Sequence, residues 1–360
     1  MEIINNKPIY GIGIESSCDE TGIAISQNGN KILANPVYTQ IDFHAQYGGV
    51  VPESASRLHL EKIAPMLQES FSTAGITPDQ LSYVAVTVRP GLVGSLLVGY
   101  YTARALADFY EIPLIPIHHL EAHLYAIEIA GIPVQYPFLG LLLSGGNSAI
   151  YKVEGLSNIT TMGDTLDDAA GEALDKAAAL LNLSYPGGPV IEKLARSFAN
   201  KGEEKFDVLR EKGGVRNLAR NPLPKILATQ PSDKYEFSFS GIKTALYYLL
   251  EKKEKTYTPE HLAWAFQERV FEIVLRNVTN ALTNKKFPRL VAAGGVLANQ
   301  TLKKQLAEAA QKTNTEFISP PPELCTDNGA MIAALGFRYF QNGNFENLSQ
   351  EVTSSKKWGV

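Results

Sequence analysis

Two histidines four positions apart form the most distinctive pattern in this 360-residue sequence. His119 and His123 lie in a run that contains three of the six histidines. On an α-helix, residues four apart face the same side, with about 5 to 6 Å between their Cβ atoms. Two imidazoles at that spacing can share one metal ion, and a histidine cluster without a metal explains the spacing equally simply. The pattern indicates a candidate metal site.

A metal held by two histidines needs a third ligand from elsewhere in the chain, and Asp327 is the best candidate. It stands in the polar run 325–328, directly before an apolar stretch. An aspartate at such a position also suits the N-cap of a helix, which we predict from Asn328 to about Phe340. Both roles are compatible, because a capping residue lies at the end of an element and can point into a cleft.

The same histidine spacing occurs in zinc proteases, in which the general-base glutamate directly follows the first histidine. Here that position holds Leu120. The nearest acid, Glu121, is two positions from each histidine and projects about 200° away around the helix. The sequence therefore disfavours a metalloprotease.

Several carboxylates are placed where a nucleotide could bind. Asp168, Glu172 and Asp175 share one face of a predicted helix. Such a face is usually solvated; alternatively, one carboxylate accepts hydrogen bonds from a ribose diol. The glycine turn at 185–189 would let the backbone approach the same sugar, and Glu192 could join it.

Asp19 and Glu20 occupy a polar turn between two predicted strands, where a phosphate or a reacting group would lie. The preference of aspartate for turns explains Asp19 equally well. Cys18 precedes them, and its position at the edge of a strand favours a small packed side chain over a nucleophile.

The composition excludes several classes of protein. Hydrophobic residues make up 45% of the chain and charged residues 19%, which excludes intrinsic disorder and favours a buried α/β core. Two cysteines cannot build a disulfide framework, and the first residues lack a signal-peptide pattern, so we expect a cytoplasmic protein. No apolar run approaches the ~20 residues that cross a bilayer, so we expect no membrane association.

A net charge of −4 gives no general attraction for nucleic acid, so any contact with RNA must use a local patch. The segment at about 196–232 is the candidate, because it carries eight lysines and arginines against four acids. Contact with a polyanion is one hypothesis. A solvated pair of helices is the simpler alternative.

Two similar strand–turn–strand patterns must position these residues. The first surrounds the turn at 15–21 and the second surrounds the glycine turn at 144–147. Each half also has a strand that enters a glycine loop before a helix. Two α/β lobes with facing turns predict the internally duplicated, actin-like ATPase fold of actin, sugar kinases and Hsp70, which binds a nucleotide between the lobes.

The predicted N-terminal lobe covers 1–132, and the C-terminal lobe covers 133–326 with the basic segment inserted in it. A C-terminal helix at about 327–343 is expected to pack back on the first lobe, and 344–360 form a polar tail. An apolar stripe that includes Leu60, Ile63 and Leu67 predicts a core-packing helix.

Ten motifs in order resemble the TsaD family, the tRNA threonylcarbamoyladenosine synthases formerly called Gcp or O-sialoglycoprotein endopeptidases. The resemblance covers nearly everything from Tyr10 to about Phe340. The motifs are ESSCDET (15–21), GGVVPE (48–53), PGLVGS (90–95), HHLEAH (118–123), LLSGG (142–146), DDAAGEALDK (167–176), YPGGP (185–189), FSFSGIKT (237–244), AGGVLAN (293–299) and CTDN (325–328).

The resemblance implies an enzyme that transfers the threonylcarbamoyl group from threonylcarbamoyl-AMP to N6 of an adenosine in tRNA, with release of AMP. The adenosine is position 37, just 3′ of the anticodon, in tRNAs that read codons beginning with A, and the product is t6A. The resemblance also implies one divalent metal per subunit, Fe²⁺ before Zn²⁺. The expected partners are tRNA, an inactive shorter paralogue called TsaB and an ATPase called TsaE.

The family's functional residues can be carried over to this sequence. Its metal ligands fall on His119, His123 and Asp327. Its adenylate-binding stretch falls on Leu142, Leu143, Ser144, Gly145 and Gly146, and its further nucleotide contacts fall on Asp175, Gly188, Glu192 and Asn299. The metal would act as a Lewis acid, and Asp19 or Glu20 would help to deprotonate the attacking amine.

Two departures from the family pattern concern the turns. Asn147 stands where members commonly have a histidine after Ser-Gly-Gly, and Arg89 replaces a glycine before Pro-Gly-Leu. The alternatives to this family are an ATPase or phosphotransferase of the same fold, a non-enzymatic scaffold, and a metalloprotease. An ATPase would leave the histidine pair without a role.

Overall fold

Two β-sheets organise the chain in the computed structural model, which describes residues 7–200, 221–225, 234–251, 257–343, 345 and 349–358. The first sheet comprises Tyr10–Glu15 (β1), Glu20–Gln27 (β2), Lys31–Ala34 (β3), Val37–Thr39 (β4), Leu81–Arg89 (β5) and Leu114–His118 (β6). Its order is β3–β2–β1–β5–β6, with β4 beside β2.

The second sheet lies in the later half of the chain. It comprises Phe138–Leu143 (β7), Ser148–Gly155 (β8), Asn158–Asp164 (β9), Arg289–Ala293 (β10) and Glu316–Ile318 (β11). Its order is β11–β10–β7–β8–β9.

The two sheets repeat one topology. β1 and β2 form an antiparallel hairpin and β5 runs parallel to β1; β7 and β8 form the matching hairpin and β10 runs parallel to β7. The central strands β1 and β7 are buried along nearly their whole length, as expected for strands covered on both faces. The predicted two-lobed, internally duplicated α/β fold is confirmed.

Helices cover the faces of both sheets. They are Ile41–Ala45 (α1), Pro52–Ala74 (α2), Val93–Tyr110 (α3), His119–Tyr125 (α4), Ala170–Leu180 (α5), Gly187–Asn200 (α6), Ser240–Glu251 (α7), Pro259–Lys285 (α8), Gln300–Lys312 (α9) and Gly329–Asn342 (α10). Short 3₁₀ turns lie at Pro78–Gln80, Ala126–Glu128, Gly295–Ala298 and Pro322–Leu324.

Apolar side chains at helical spacing explain why α8 forms and where it packs. Thr258 caps its N-terminus by accepting a hydrogen bond from the backbone N–H of His261. Leu262, Phe266 and Val270 recur every four residues and are buried in the core of the second lobe.

The apolar stripe predicted on α2 is only partly correct. Ile63 is buried as expected, but the Leu60 side chain is 67% exposed. The helix instead buries a neighbouring face that includes His59 and Met66. Leu60 turns outward beside α3, whereas Leu67 is half-buried against the core of the first lobe, so part of the stripe forms a surface instead of a core.

Helix α10 lies against the first sheet although it comes from the end of the chain. It packs on β1, β2 and β5 and on α4. The approach is so close that a side chain on Gly13 would collide with the backbone of Ala333. The Tyr83 hydroxyl also donates a hydrogen bond to the Ala333 carbonyl at 2.8 Å. These contacts hold the start of α10, and the residues just before it, beside α4. The lobe limits near 132 and 326 stay predictions.

Most of the predicted basic segment at 196–232 falls outside the described residues. Within its described part, Arg196 pairs with Glu192 at 2.6 Å and Lys225 lies 4.0 Å from Glu272. In the described portion of the chain, no helix combines the length and apolarity that a membrane crossing requires.

Candidate active site

A cleft of about 530 Å³ opens between the two sheets. One wall carries the turn between β1 and β2, with Ser17, Cys18 and Asp19. The opposite wall carries the turn between β7 and β8 at 144–147. The duplicated hairpins therefore point their polar turns into one shared space, as the sequence predicts.

The three predicted metal ligands meet at one side of this cleft. Nε2 of His123 lies 3.2 Å from Nε2 of His119 and 3.1 Å from Oδ1 of Asp327, and Nε2 of His119 lies 3.5 Å from the same oxygen. One donor atom from each residue falls within 4.8 Å of the others. Both histidines are buried, and His119 and Asp327 line the cleft. The group can hold a metal ion that substrate also reaches.

The local fold explains this convergence. His119 begins α4 and His123 follows one turn later, so both rings leave the same side of the helix. Asp327 does not cap α10; the cap is Asn328, whose side-chain oxygen accepts a hydrogen bond from the Met331 N–H at 3.0 Å. Since the neighbouring residue makes the cap, the Asp327 carboxylate is left to face the histidines.

A buried carboxylate orients His119. Oε2 of Glu15 accepts a hydrogen bond from Nδ1 of His119 at 3.0 Å and another from the Thr87 hydroxyl at 2.5 Å. Oε1 of Glu15 accepts a hydrogen bond from the Ser17 N–H at 2.6 Å. With Nδ1 occupied, the Nε2 atom of His119 points to His123 and Asp327, which is the arrangement that holds a metal-ligating imidazole in place.

The electrostatics of this group favour opposite charges on its members. Burial opposes protonation of His119, but the carboxylates of Asp327 and Glu15 raise the pKa of His119 to about 9. Burial raises the pKa of Asp327, but His119 and His123 outweigh it and lower that pKa to about 2. For the same reason the pKa of Glu15 is lowered, mainly by His119. A site with this much negative potential attracts a cation.

Glu121 lies away from the metal group, as its helical position predicts. Its carboxylate accepts hydrogen bonds from the Tyr339 hydroxyl at 2.9 Å and the Ser157 N–H at 3.2 Å. Burial raises the pKa of Glu121 to about 7. This glutamate therefore cannot act on a water bound between His119 and His123, and the geometry gives no support to a metalloprotease.

Asp19 and Glu20 both line the cleft near Asp327. Burial, Asp327 and Asp19 together raise the pKa of Glu20 well above its usual value. Burial also raises the pKa of the Cys18 thiol well above its usual value, so Cys18 stays protonated and is a poor nucleophile. The role of Asp19 and Glu20 as catalytic carboxylates stays a prediction.

The predicted adenylate-binding stretch is divided between core and cleft. Leu142 and Leu143 are fully buried at the end of β7, whereas the next residues, Ser144, Gly145 and Gly146, line the cleft. Asn147 closes the turn, and its backbone N–H donates to the Ser144 hydroxyl at 3.2 Å. The carboxamide of Asn147 also donates to that hydroxyl at 3.4 Å. Within this stretch, only the residues of the turn can contact a ligand in the cleft, because the two leucines of the strand are buried in the core.

The prediction that three carboxylates share one helical face is wrong for Asp168, which precedes α5. Of Glu172 and Asp175, which lie on α5, only Asp175 lines the cleft. Its Oδ1 accepts a hydrogen bond from the Gly187 N–H at 2.7 Å, and burial raises its pKa. Asp168 and Glu172 both pair with Lys176, at 2.5 and 2.8 Å. Asp175 thus positions the glycine turn at the start of α6 and still borders the nucleotide space.

The remaining predicted contacts border the same cleft from its far side. Gly188, Glu192 and Asn299 all line it. The Asn299 carboxamide caps α9 through the Thr301 N–H and donates to Gln267, so its side chain already has partners. Glu192 accepts a hydrogen bond from the Gln300 N–H at 3.1 Å. Nucleotide binding by these residues stays a prediction.

Two features of the site, one behind the metal group and one in the cleft, were not predicted from the sequence. Glu15 occurs in the first motif, but its contact with His119 joins residues 104 positions apart. Ser354 and Lys356, from the predicted polar tail, also line the cleft. The sequence of the tail contains one residue that could have indicated packing, because Trp358 is a large aromatic side chain.

Comparison with known proteins identifies one family over most of the chain. A model of the TsaD family, described as tRNA N6-adenosine threonylcarbamoyltransferase, matches residues 31–334. The chain belongs to this family. Proteins named tRNA N6-adenosine threonylcarbamoyltransferase from the copenhageni and Lai serovars of Leptospira interrogans are each 45% identical to it over 350 residues. These matches cover 97% of this chain and 99% of each relative, so the TsaD resemblance is confirmed.

Solved structures share the fold at much lower sequence identity. Full-length HypF superposes with a TM-score of 0.55 at 12% identity and covers 96% of this chain and 48% of its own. Component A of (R)-2-hydroxyglutaryl-CoA dehydratase from Acidaminococcus fermentans has a TM-score of 0.50 at 14% identity. The match covers 92% of this chain and 98% of component A. Both likenesses concern the fold alone, and they agree with the actin-like architecture.

Proposed function

We propose that the cleft transfers a threonylcarbamoyl group from threonylcarbamoyl-AMP to N6 of adenosine 37 in tRNAs that read codons beginning with A. The amine nitrogen attacks the carbamoyl carbon, a C–N bond forms, the C–O bond to the phosphate breaks, and AMP leaves. The amine loses one proton to a base. The observation that carries the proposal is the His119–His123–Asp327 group inside a cleft that suits a nucleotide, in a chain of the TsaD family.

The donor set of this group fits a divalent metal. Two imidazole nitrogens and one carboxylate oxygen with open positions suit Fe²⁺, which we propose as the resident ion at one per subunit, and also suit Zn²⁺. His119, His123 and Asp327 would hold it, and Glu15 would fix the His119 ring. When bound, the metal supplies Lewis-acid stabilisation of charge that develops on substrate oxygens.

The chain's own residues would position substrate and remove the proton. The turn at Ser144–Gly146 gives the phosphate access to the backbone, and Asp175 supports the glycine turn that faces the ribose. Asp19 and Glu20 lie at the metal side of the cleft, where one of them accepts the proton of the attacking amine. Enclosure between the lobes limits hydrolysis of the acyl group by water.

Partner proteins are part of the proposal. We expect an inactive paralogue, TsaB, and an ATPase, TsaE, to assist this chain. The exposed face shared by α2 and α3 supports a protein partner there, because Leu60 is 67% exposed, Tyr101 65% and Phe109 78%. We also propose that the protein acts in the cytoplasm, where its tRNA substrate is found.

The decisive experiment combines the purified chain loaded with Fe²⁺, threonylcarbamoyl-AMP, unmodified tRNA and the paralogue. Mass spectrometry of the digested tRNA should show the modified nucleoside, and equal amounts of AMP should be released. A His123→Ala variant should give no product. A chain that instead converts ATP to ADP with a phosphorylated acceptor, and never modifies tRNA, would refute the acyl transfer in favour of a phosphotransferase.

A further inference from the structure

A segment near the C-terminus crosses the cleft from one lobe to the other. Residues 349–358, which we name the strap, begin at the first sheet, where the Thr353 N–H donates to the Val88 carbonyl at 3.1 Å. They end at the second sheet, where Nε1 of Trp358 donates to the Thr161 hydroxyl at 3.1 Å. The strap is therefore attached to both walls of the cleft.

Aromatic contacts hold the second end of the strap firmly. The Trp358 ring stacks on His118 with ring centroids 4.0 Å apart and an interplanar angle of 19°. Tyr151 contacts the same ring edge-on at 5.1 Å. His118 belongs to the first lobe and Tyr151 to the second, so one tryptophan packs against side chains of both lobes.

Between these attachments, Ser354 and Lys356 face the cleft. Nζ of Lys356 lies 3.5 Å from the carbonyl of Gly146 and 3.8 Å from Oδ1 of Asp164. Both distances are long for an ammonium contact, and the side chain is 38% exposed. The ammonium group thus lies at the glycine turn without a strong partner, within a side chain that can move toward a ligand.

The charge of the cleft makes this ammonium group important. Among the described residues that line the cleft, Lys356 is the sole lysine or arginine. The carboxylates that line it are Asp19, Glu20, Asp175, Glu192 and Asp327. A phosphate that enters between the glycine turn and these acids meets repulsion, which one well-placed ammonium group offsets.

We propose that Lys356 binds the phosphate of the nucleotide and makes the cleft select a nucleoside monophosphate over the nucleoside. The identity of that nucleotide, an acyl-AMP in the forward reaction and AMP as product, rests on the proposed function. The strap's two attachments place the residue, and the glycine turn gives the phosphate room beside it. Lys356 is therefore a binding and specificity residue that lies outside the ten family motifs.

Calorimetric titration of the full-length, metal-loaded protein with AMP and with adenosine tests this role. Lys356→Met keeps the length of the side chain and removes the charge. It should weaken AMP binding by about tenfold and leave adenosine binding unchanged, because only AMP carries the phosphate. Lys356→Arg should recover most of the loss. Lys357→Met is the matched control, since Lys357 is exposed on the same strap, and it should bind AMP as the unaltered protein does.

Three outcomes would overturn the role of Lys356. These are an unaltered protein that binds AMP no better than adenosine, a Lys356→Met variant that keeps the original AMP-to-adenosine ratio, and a variant in which both affinities fall together. The last result would mean that the lysine only supports the structure. The titration uses neither tRNA nor an acyl donor, so failure of threonylcarbamoyl transfer would be seen separately, in the nucleoside assay.

Discussion

Nδ1 of His119 and Oε2 of Glu15 lie 3.0 Å apart in the interior of the protein. Glu15 ends β1 and His119 begins α4, so the contact joins the central strand of the first sheet to the helix that carries both histidines. The carboxylate fixes the orientation and tautomer of the imidazole, and it leaves Nε2 available toward Asp327. Glu15 is thus a positioning residue for the metal group.

Replacing Glu15 by Gln should weaken metal affinity by about 10- to 100-fold at a pH above 9, where His119 is already deprotonated, because the imidazole loses its orienting negative charge while the volume is kept. A competitive titration with a chromophoric chelator measures the change. Glu121→Gln is the matched control, since Glu121 is also buried but faces Tyr339 and Ser157. Equal metal affinities in the two variants would contradict the positioning role.

Substitution of a single ligand should remove the metal. His123→Ala should bring the metal content from about one ion per chain to below a tenth of that value, because two remaining donors hold a divalent ion weakly. Elemental analysis measures the content after the protein has been loaded with metal and dialysed into metal-free buffer. His118→Ala provides the neighbouring control, since His118 packs against Trp358 and should leave the metal content unchanged. A metal-replete His123→Ala protein would refute the ligand assignment.

Metal binding should depend on pH through His119. The carboxylates of Asp327 and Glu15 raise the pKa of His119 to about 9 in the metal-free protein, so an incoming metal must displace a proton. Apparent affinity should therefore fall about tenfold for each pH unit below 9, within the range where the fold persists. Glu15→Gln should move this dependence to lower pH, because one stabilising charge is removed. Metal titrations at pH 6, 7 and 8 that give one common affinity would disprove the linkage.

The identity of the base can be resolved by two matched variants. Asp19→Asn and Glu20→Gln each remove one carboxylate from the cleft and keep its size. Loss of the general base should reduce turnover by about 10²- to 10⁴-fold while metal content is kept. Single-turnover formation of the modified nucleoside measures the rate. If both variants react at the original rate, neither residue accepts the proton.

Local sequence patterns predicted the parts of the site that local geometry controls. The four-residue spacing of His119 and His123 places both rings on one side of α4 in any helix. The N-cap of α10 was predicted at Asp327, and the prediction was wrong by one residue, because the packed structure places the cap at Asn328. Hairpin turns were also predictable, since polar and glycine residues interrupt the apolar strands there.

The rest of the site depends on tertiary packing that no local pattern encodes. Glu15 and His119 are 104 positions apart, and Lys356 and Gly146 are 210 apart. Their contacts follow from how the sheets, α10 and the strap pack together. Leu60 illustrates the same limit: a helical stripe predicts an apolar face, but it does not tell whether the core or another surface will cover that face.

The N-cap of α10 contributes to the folding stability of the protein and also holds the metal ligand that precedes it. Asn328→Ala should destabilise the protein by about 0.5–2 kcal/mol, because the Met331 N–H loses its acceptor at the first turn. It should also weaken metal affinity, since Asp327 directly precedes the cap and loses its fixed position. Thr258→Ala removes the cap of α8, which lies away from the metal ligands, and should reduce stability to a similar extent without altering metal affinity. Urea unfolding and chelator competition on both variants measure the two effects. If metal affinity changes equally in both, or in neither, the cap of α10 does not position Asp327.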